Sequence, residues 1–206
     1  MTAPLRLLGT CALAALIGAC SILPKAETPD AYLLPVKQQP ARATPPVSWS
    51  LRVDAPNASQ VLDSNRIAVL PKGDLLSVYQ GARWSDTAPK LLRDRLLDAF
   101  RADGRISALS SDAVTLQADL ELDGDLRAFQ SEYQGQQVAA VVVLEARLVQ
   151  TATQRIVASR RFEARQPSSG TQVAEVVTAF GQASDRLAAE VVSWTLQQGQ
   201  MQKLER

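Results

Sequence analysis

Histidine is missing from all 206 residues. Its absence removes Ser-His-Asp triads, Cys-His pairs and imidazole-ligated zinc or iron from the chemistry open to the chain. Cysteine is almost as scarce, with Cys11 and Cys20 the only two. Neither sign of charge is in excess, since 22 Lys and Arg stand against 21 Asp and Glu. No basic surplus favours nucleic acid, and no polybasic block favours anionic lipid head groups. A P-loop and a G-x-G-x-x-G are both missing, so nucleotide binding has no support. Chemistry run entirely by carboxylates survives these exclusions, as do roles without catalysis.

What is present is an ordinary apolar content. Hydrophobic residues make up 46% and charged residues 21% of the chain, the proportions of a globular protein. A chain of this length can bury a core without disulfide or metal staples. Seven of the eleven prolines crowd between Pro24 and Pro56, which separates a processed amino terminus from a patterned remainder.

At that terminus Arg6 precedes Leu7 to Ala19, a run with no charge. Thirteen helical residues rise only about 20 Å, short of the ~30 Å hydrocarbon layer a spanning helix must cross. A charged start, a short apolar centre and small residues at Gly18 and Ala19 read as a secretory signal peptide over residues 1–19. The run's end, Leu16-Ile17-Gly18-Ala19-Cys20, resembles the bacterial lipobox. That resemblance implies cleavage after Ala19 and acylation of Cys20. Ser21 at the next position, rather than aspartate, resembles lipoproteins sorted to the outer membrane. The mature chain would lose Arg6 and Cys11, which makes it net neutral with Cys20 as its one cysteine. No internal disulfide is then possible. Two or more acyl chains hold a protein firmly, at ~0.8 kcal/mol per buried CH₂.

The rest of the mature chain divides into a lipidated tether (20–30), a single domain (31–199) and a short tail (200–206). Residues 31–34 (AYLL) and 48–55 (SWSLRVDA) read as short strands. Residues 66–71 and 75–80 read as a hairpin turned by Lys72-Gly73-Asp74. A first helix is signalled by capping groups at Asp86 or Thr87, Pro89 in the first turn, a stripe of Leu92, Leu96, Ala99 and Phe100, and Gly104 past the end.

Three alternating strands follow. In the first, Leu116, Ala118, Leu120, Leu122, Leu126 and Ala128 share a face, and Gly124 is expected to mark a bulge or bend. Ala140 to Leu148 supplies the second inner face, and Ile156, Ala158, Phe162 and Ala164 the third, interrupted by Arg160. Residues 131–137 and 151–154 are hairpin connections, so the three form an antiparallel meander. The first strand's other face is acidic and the third's is basic (Arg155, Arg161, Arg165). The two should complement each other through Glu145 and Arg147 of the middle strand.

Asp119, Glu121, Asp123 and Asp125 are the one cluster that resembles a catalytic or cation site. An extended strand splays them ~6.8 Å apart, whereas calcium loops converge their ligands from a tight turn. A salt-bridged sheet face is the expectation, with no metal and no cofactor beyond the lipid on Cys20. Ser169 and Gln172 match the capping-box spacing before a final helix at 171–198. Val173, Val177, Phe180, Ser184, Leu187, Val191 and Trp194 form its heptad seam, which suits a helix on the meander, an intersubunit contact, or both. At ~42 Å the helix would overhang strands of five or six residues. The expected class is α/β (α+β): a mostly antiparallel sheet with a three-stranded meander, packed against two main helices.

With these elements in place, the chain resembles the ABC-type transport auxiliary lipoproteins. The carrying segments are YLLP at 32–35, the stretch 65–100 with Tyr79, Arg83, Trp84 and the Leu-rich helix behind them, and LDGDLRAFQSEY followed by VVVLEARLV. The resemblance implies a non-catalytic envelope lipoprotein that works with an MCE-domain protein and, through it, an ABC permease and ATPase. Such systems move phospholipid or other hydrophobic molecules between inner and outer membranes. It places the chain at the inner leaflet of the outer membrane, facing the periplasm, with homo-oligomers possible and nucleic acid not involved. The expected partner interface is the segment of Tyr79, Arg83 and Trp84, or the exposed part of the last helix around Val191 and Trp194. The alternative is a structural or regulatory lipoprotein of another envelope machine, such as a cell-wall synthase activator.

Overall fold

The computed structural model describes residues 28–36, 45–114 and 116–204. The signal peptide, Cys20 and the tether up to residue 27 lie outside these. Among the described residues the elements run β1 (Asp30–Tyr32), β2 (Leu51–Val53), β3 (Asn57–Ala58), β4 (Arg66–Lys72), β5 (Leu75–Trp84) and α1 (Ala88–Asp103). Then come β6 (Leu109–Ser111), β7 (Leu120–Gln134), β8 (Gln137–Gln150), β9 (Arg155–Pro167) and α2 (Val173–Leu204).

All the strands join one sheet. β7, β8 and β9 form the antiparallel meander read from the alternation. The other edge of β7 is filled piecewise by β2, β3 and β4, each parallel to it. β6 lies parallel outside β2, β5 antiparallel outside β4, and β1 parallel to the last three residues of β5. A mixed, mostly antiparallel sheet packed with two helices is the α+β class expected. Gly73 (φ 51°) and Gly135 (φ 63°) turn the two tight hairpins, each as the first of two central residues. Only glycine takes that conformation at no steric cost. The connection between β7 and β8 is therefore Gly135 and Gln136 alone, not the whole of residues 131–137.

Three sequence-based expectations change, and the first has one physical cause. The ladder between β7 and β8 shifts between Leu126 and Ala128, and that between β8 and β9 shifts at Val149. Each bulge inserts a residue and so reverses every side chain beyond it. Ala128 joins Val141 and Val143 in a small cluster on the outer face, and Phe129 takes its place inside. Ile156 swings out to the surface. Gly124 is not the bulge, because it pairs in register with Ala146. A Cβ there would stand 2.5 Å from the Glu145 carbonyl oxygen, so its role is close approach of two backbones. Leu116 and Ala118 precede β7 instead of belonging to it.

The helices also differ in detail. Of the two candidates Thr87 occupies the N-cap of α1, without a side-chain cap, while the Asp86 carboxylate accepts the Thr87 N–H at 2.7 Å. That bond and Lys90 hold the Asp86 carboxyl below its ordinary range. Gly104 closes the helix in the left-handed region (φ 77°), its N–H bonded to the Phe100 carbonyl. The capping box of α2 sits three residues later than expected: the Glu175 carboxylate accepts the Gln172 N–H at 3.0 Å, and the Gln172 carbonyl takes the first helical bond. The helix runs on to Leu204, about 48 Å by its 32 residues. Because β7 to β9 have 13 to 15 residues each, the strands are about as long as the helix and the expected overhang disappears.

Both helices cover one face of the sheet around a single apolar core. Trp84 meets Phe129 and Phe180 edge-on at 5.7 and 5.3 Å, and Phe129 stacks on Phe180 at 5.0 Å. Arg160, which interrupts the inner face of β9, lays its guanidinium 4.9 Å over the Phe162 ring. The buried face of α2 is wider than the heptad seam and includes Ala179, Ala183, Ala188 and Leu196. Gly181 faces the Pro35 backbone so closely that a Cβ would lie 2.7 Å from its carbonyl oxygen. Beside it the buried Arg95 of α1 pairs with Asp185 of α2 and donates to the Leu34 carbonyl at 3.1 Å and to that of Pro35.

Arg95→Met should cost about 3 kcal/mol in urea unfolding, since it strips a half-buried carboxylate and two carbonyls of a buried donor. Arg95→Met with Asp185→Leu should recover part of that loss, which a double-mutant cycle measures. Ser184 is fully buried, and among the described residues its hydroxyl has no partner. Ser184→Ala is therefore expected to leave stability unchanged or raise it by up to about 1 kcal/mol, read as a higher urea midpoint at constant slope.

Candidate docking surface

The carboxylate row is a cross-strand ladder. Asp119 accepts from the Ser50 N–H and hydroxyl at 2.8 and 2.7 Å. Glu121 meets Arg52 at 2.5 Å, and Arg52 also holds Asp54 at 2.8 Å. Asp123 and Asp125 share Arg147 at 3.0 and 2.6 Å. The exchange expected through the middle strand is present: Arg161 and Arg127 reach Glu145 at 3.4 and 2.8 Å, and Arg165 reaches Glu132 at 2.5 Å. Burial pushes the Glu121 carboxyl up and nearby Asp54 adds to this, with Arg52 opposing. Among the described residues no three His, Cys, Asp or Glu side chains are placed to hold a metal.

The expected interface residues separate into two kinds. Trp84 and Val191 are 0% exposed and Trp194 is 6% exposed, its ring edge-on to Phe162 at 5.5 Å. A contact made by these three would require opening the core, so the structure removes them from the interface. Their aromatic or apolar character belongs to packing. Tyr79 is half-buried, with its hydroxyl 3.0 Å from Ser131 Oγ and 3.3 Å from the Tyr133 hydroxyl. Burial pushes the Tyr79 phenol up; the Ser131 bond opposes this and Tyr133 reinforces it. Arg83 is exposed and directly opposite Arg66 in the β4–β5 ladder. On a face whose other charges pair off, these two like charges face each other, an arrangement that disfavours the hairpin unless something anionic lies nearby.

Apart from Leu33 and Val36 in the segment after β1, the large exposed apolar residues lie towards opposite ends of the sheet. At one end stands the tip of the β4–β5 hairpin, with Leu75 63% and Leu76 43% exposed. Adjacent strand residues point to opposite faces, so exposure of both means that the tip stands clear of the body on each side. Exposed Lys72 and Asp74 flank them. Because β4 runs parallel to β7, this tip shares its end of the sheet with the turn at Gly135 and with the approach to α2. A cavity of about 430 Å³ opens there between Gln134, Gln137, Arg165, Ser168 and Ser169.

Towards the opposite end Leu116 and Ile156 are exposed, as are Val114 beyond β6 and Met201 near the end of α2. The bond from the Thr151 N–H to the Asp119 carbonyl holds the segment before β7 against the β8–β9 turn. α2, returning from the tip end, brings Met201 to the same region. Alternation placed Leu116 and Ile156 on the inner face, so it missed this patch. The hairpin tip did leave a signal, because two consecutive leucines after a Gly-Asp turn break the period of two.

Comparison with known proteins agrees with this architecture. The model of a family described as the ABC-type transport auxiliary lipoprotein component matches residues 32–192. An uncharacterized protein of Bradyrhizobium diazoefficiens is 31% identical over 165 residues, which are 80% of this chain and 44% of that protein. The chain thus spans less than half the length of that relative. A crystal structure from Xanthomonas campestris is 40% identical, superposes with a TM-score of 0.78, and covers 85% of this chain and 99% of its own. A second solved structure, of an uncharacterized protein, shares the fold at 17% identity and a TM-score of 0.64, over 82% of this chain and 99% of its own. With the family model spanning β1 to the middle of the last helix, the chain belongs to the ABC-type transport auxiliary lipoprotein components.

Proposed function

We propose that this chain is a non-catalytic auxiliary subunit of an ABC transport system of the MCE type, anchored by acylated Cys20 to the periplasmic leaflet of the outer membrane. The system moves phospholipid or another hydrophobic solute between the two membranes, and its ATPase lies on a different polypeptide. The observation that supports this reading is the family match over residues 32–192, which spans nearly the whole folded unit. The run from Leu16 to Cys20 supplies the anchor. Membrane attachment through the folded part would have no helix to use, since among the described residues none is long and apolar enough to cross.

The docking surface for the MCE-domain partner lies where the segment before β7 meets the β8–β9 turn, joined by the bond from Thr151 to Asp119. Leu116 and Ile156, exposed on those two segments, supply the apolar side chains that a partner interface uses.

Cys20→Ala is expected to move the protein from the membrane fraction to the soluble periplasmic fraction; persistence in carbonate-washed membranes would overturn the anchor. Capture from detergent extracts of the native envelope is expected to recover an MCE-domain protein. Leu116→Asp with Ile156→Asp should lower that recovery at least tenfold, equivalent to about 1.4 kcal/mol of binding, without shifting the unfolding midpoint. Recovery of a cell-wall synthase in place of the MCE-domain protein would overturn the transport reading.

A further inference from the structure

We propose that the tip of the β4–β5 hairpin is a membrane-contacting finger, with Leu75 and Leu76 entering the interfacial layer of the phospholipid leaflet that holds Cys20. The inference rests on the acylation proposed above and adds to it a second, non-covalent contact that fixes the domain's orientation.

Chain direction comes first. β1 pairs parallel to β5, Asp30 with Ala82 through Tyr32 with Trp84. The chain therefore arrives at Asp30 from the side of Leu75, and its last described residues before β1 are exposed there. Reach agrees with direction. Seven residues of strand from Ala82 back to Leu75 cover about 23 Å, whereas the ten residues from Cys20 to Asp30 extend at most ~35 Å. An acyl group on Cys20 can thus lie level with the hairpin tip or slightly beyond it. The tip end is the one the tether turns toward the leaflet.

The surface chemistry of the tip suits that position. One leucine on each face of a two-stranded finger is poorly placed for a flat protein interface, which would bury one face and leave the other wet. An interfacial lipid layer surrounds both. Lys72, cross-strand from Leu75, can extend its stem along the leucines and its ammonium to lipid phosphates. The competing occupant is a partner strand added along the outer edge of β5, which is unpaired among the described residues from 75 to 81. That edge is irregular: the β4–β5 register breaks between Arg66 and Ala68, and Gly81 takes φ 69°. Bulges of this kind twist an edge away from pairing, so the edge is a poor template and the tip is left for lipid.

The test uses the full-length acylated protein on phosphatidylethanolamine–phosphatidylglycerol vesicles. An environment-sensitive fluorophore is placed through Leu76→Cys at the tip, and separately through Gln154→Cys in the β8–β9 turn at the far end. Flotation with the vesicles, a blue shift at position 76, and severalfold stronger quenching there than at 154 by spin-labelled lipid are expected. Leu75→Asn with Lys72→Glu, in the same labelled protein, should reduce the shift at 76 without loss of flotation. Flotation with position 76 still in water would overturn the finger and leave the lipid anchor standing. Absence of flotation would overturn both. A shift at 76 that needs an added MCE-domain protein and does not occur on vesicles alone would assign the tip to a protein interface instead.

Discussion

β7 hydrogen-bonds along its whole length to β8 on one side and in turn to β2, β3 and β4 on the other, so its path is imposed on most of the sheet. One extra residue at the bulge before Ala128 therefore has consequences far from Ala128. It switches the inner face from a row of leucines to Phe129 and Ser131. Phe129 then has the position to stack on Phe180 and to receive the edge of Trp84. Ser131 receives the Tyr79 hydroxyl, which ties β5 to β7 across the intervening β4. Without the bulge a fifteen-residue strand would carry Ala128 inward, where it is too small to fill the space between the helices. Its loss would leave the kind of void that costs several kcal/mol in a close-packed core.

A second constraint ties the amino-terminal segment to this body. Arg95 is the point at which α1, α2 and the chain after β1 meet, through Asp185 and the carbonyls of Leu34 and Pro35. A guanidinium suits that task because it offers several donors in a fixed plane, which a lysine does not. Gly181 lets the strap approach α2. The strap that follows β1 is thus held to both helices.

These same features show how much was legible in the sequence. The periods of two and near four found β4, β5, both helices and the three meander strands, because each has a long run with one face buried. The turn at Gly73 was legible for the same reason that it exists, glycine's access to positive φ, whereas the turn at Gly135 was read only as a wider connection over residues 131–137. Alternation has no memory of a bulge, so Ala128 and Ile156 were read onto the wrong face. Long-range parallel pairing of β2, β3 and β4 with β7 leaves no local trace, since each strand is only two to seven residues long. Of the candidate site, the salt-bridged character of the acidic row was legible from charge alternation. Trp84, Val191 and Trp194 were left open between core and interface, because an aromatic or a valine at a regular spacing looks the same whether it packs against its own sheet or a partner's; in the fold all three are core.

The separation of the two apolar patches then acquires a physical meaning. Leu75 and Leu76 together gain about 2 kcal/mol on leaving water, scaled by their partial exposure, which by itself gives only very weak membrane binding. With the acylation proposed for Cys20, a tether of about ten residues would bring the tip to the surface at an effective concentration in the millimolar range, where a weak contact would suffice to choose between orientations. Under that proposal anchor and tip would define one end of a unit whose α2 runs about 48 Å. Exposed Leu116 and Ile156 lie towards the other end, so strand length rather than tether length would set the height of the proposed docking surface above the membrane.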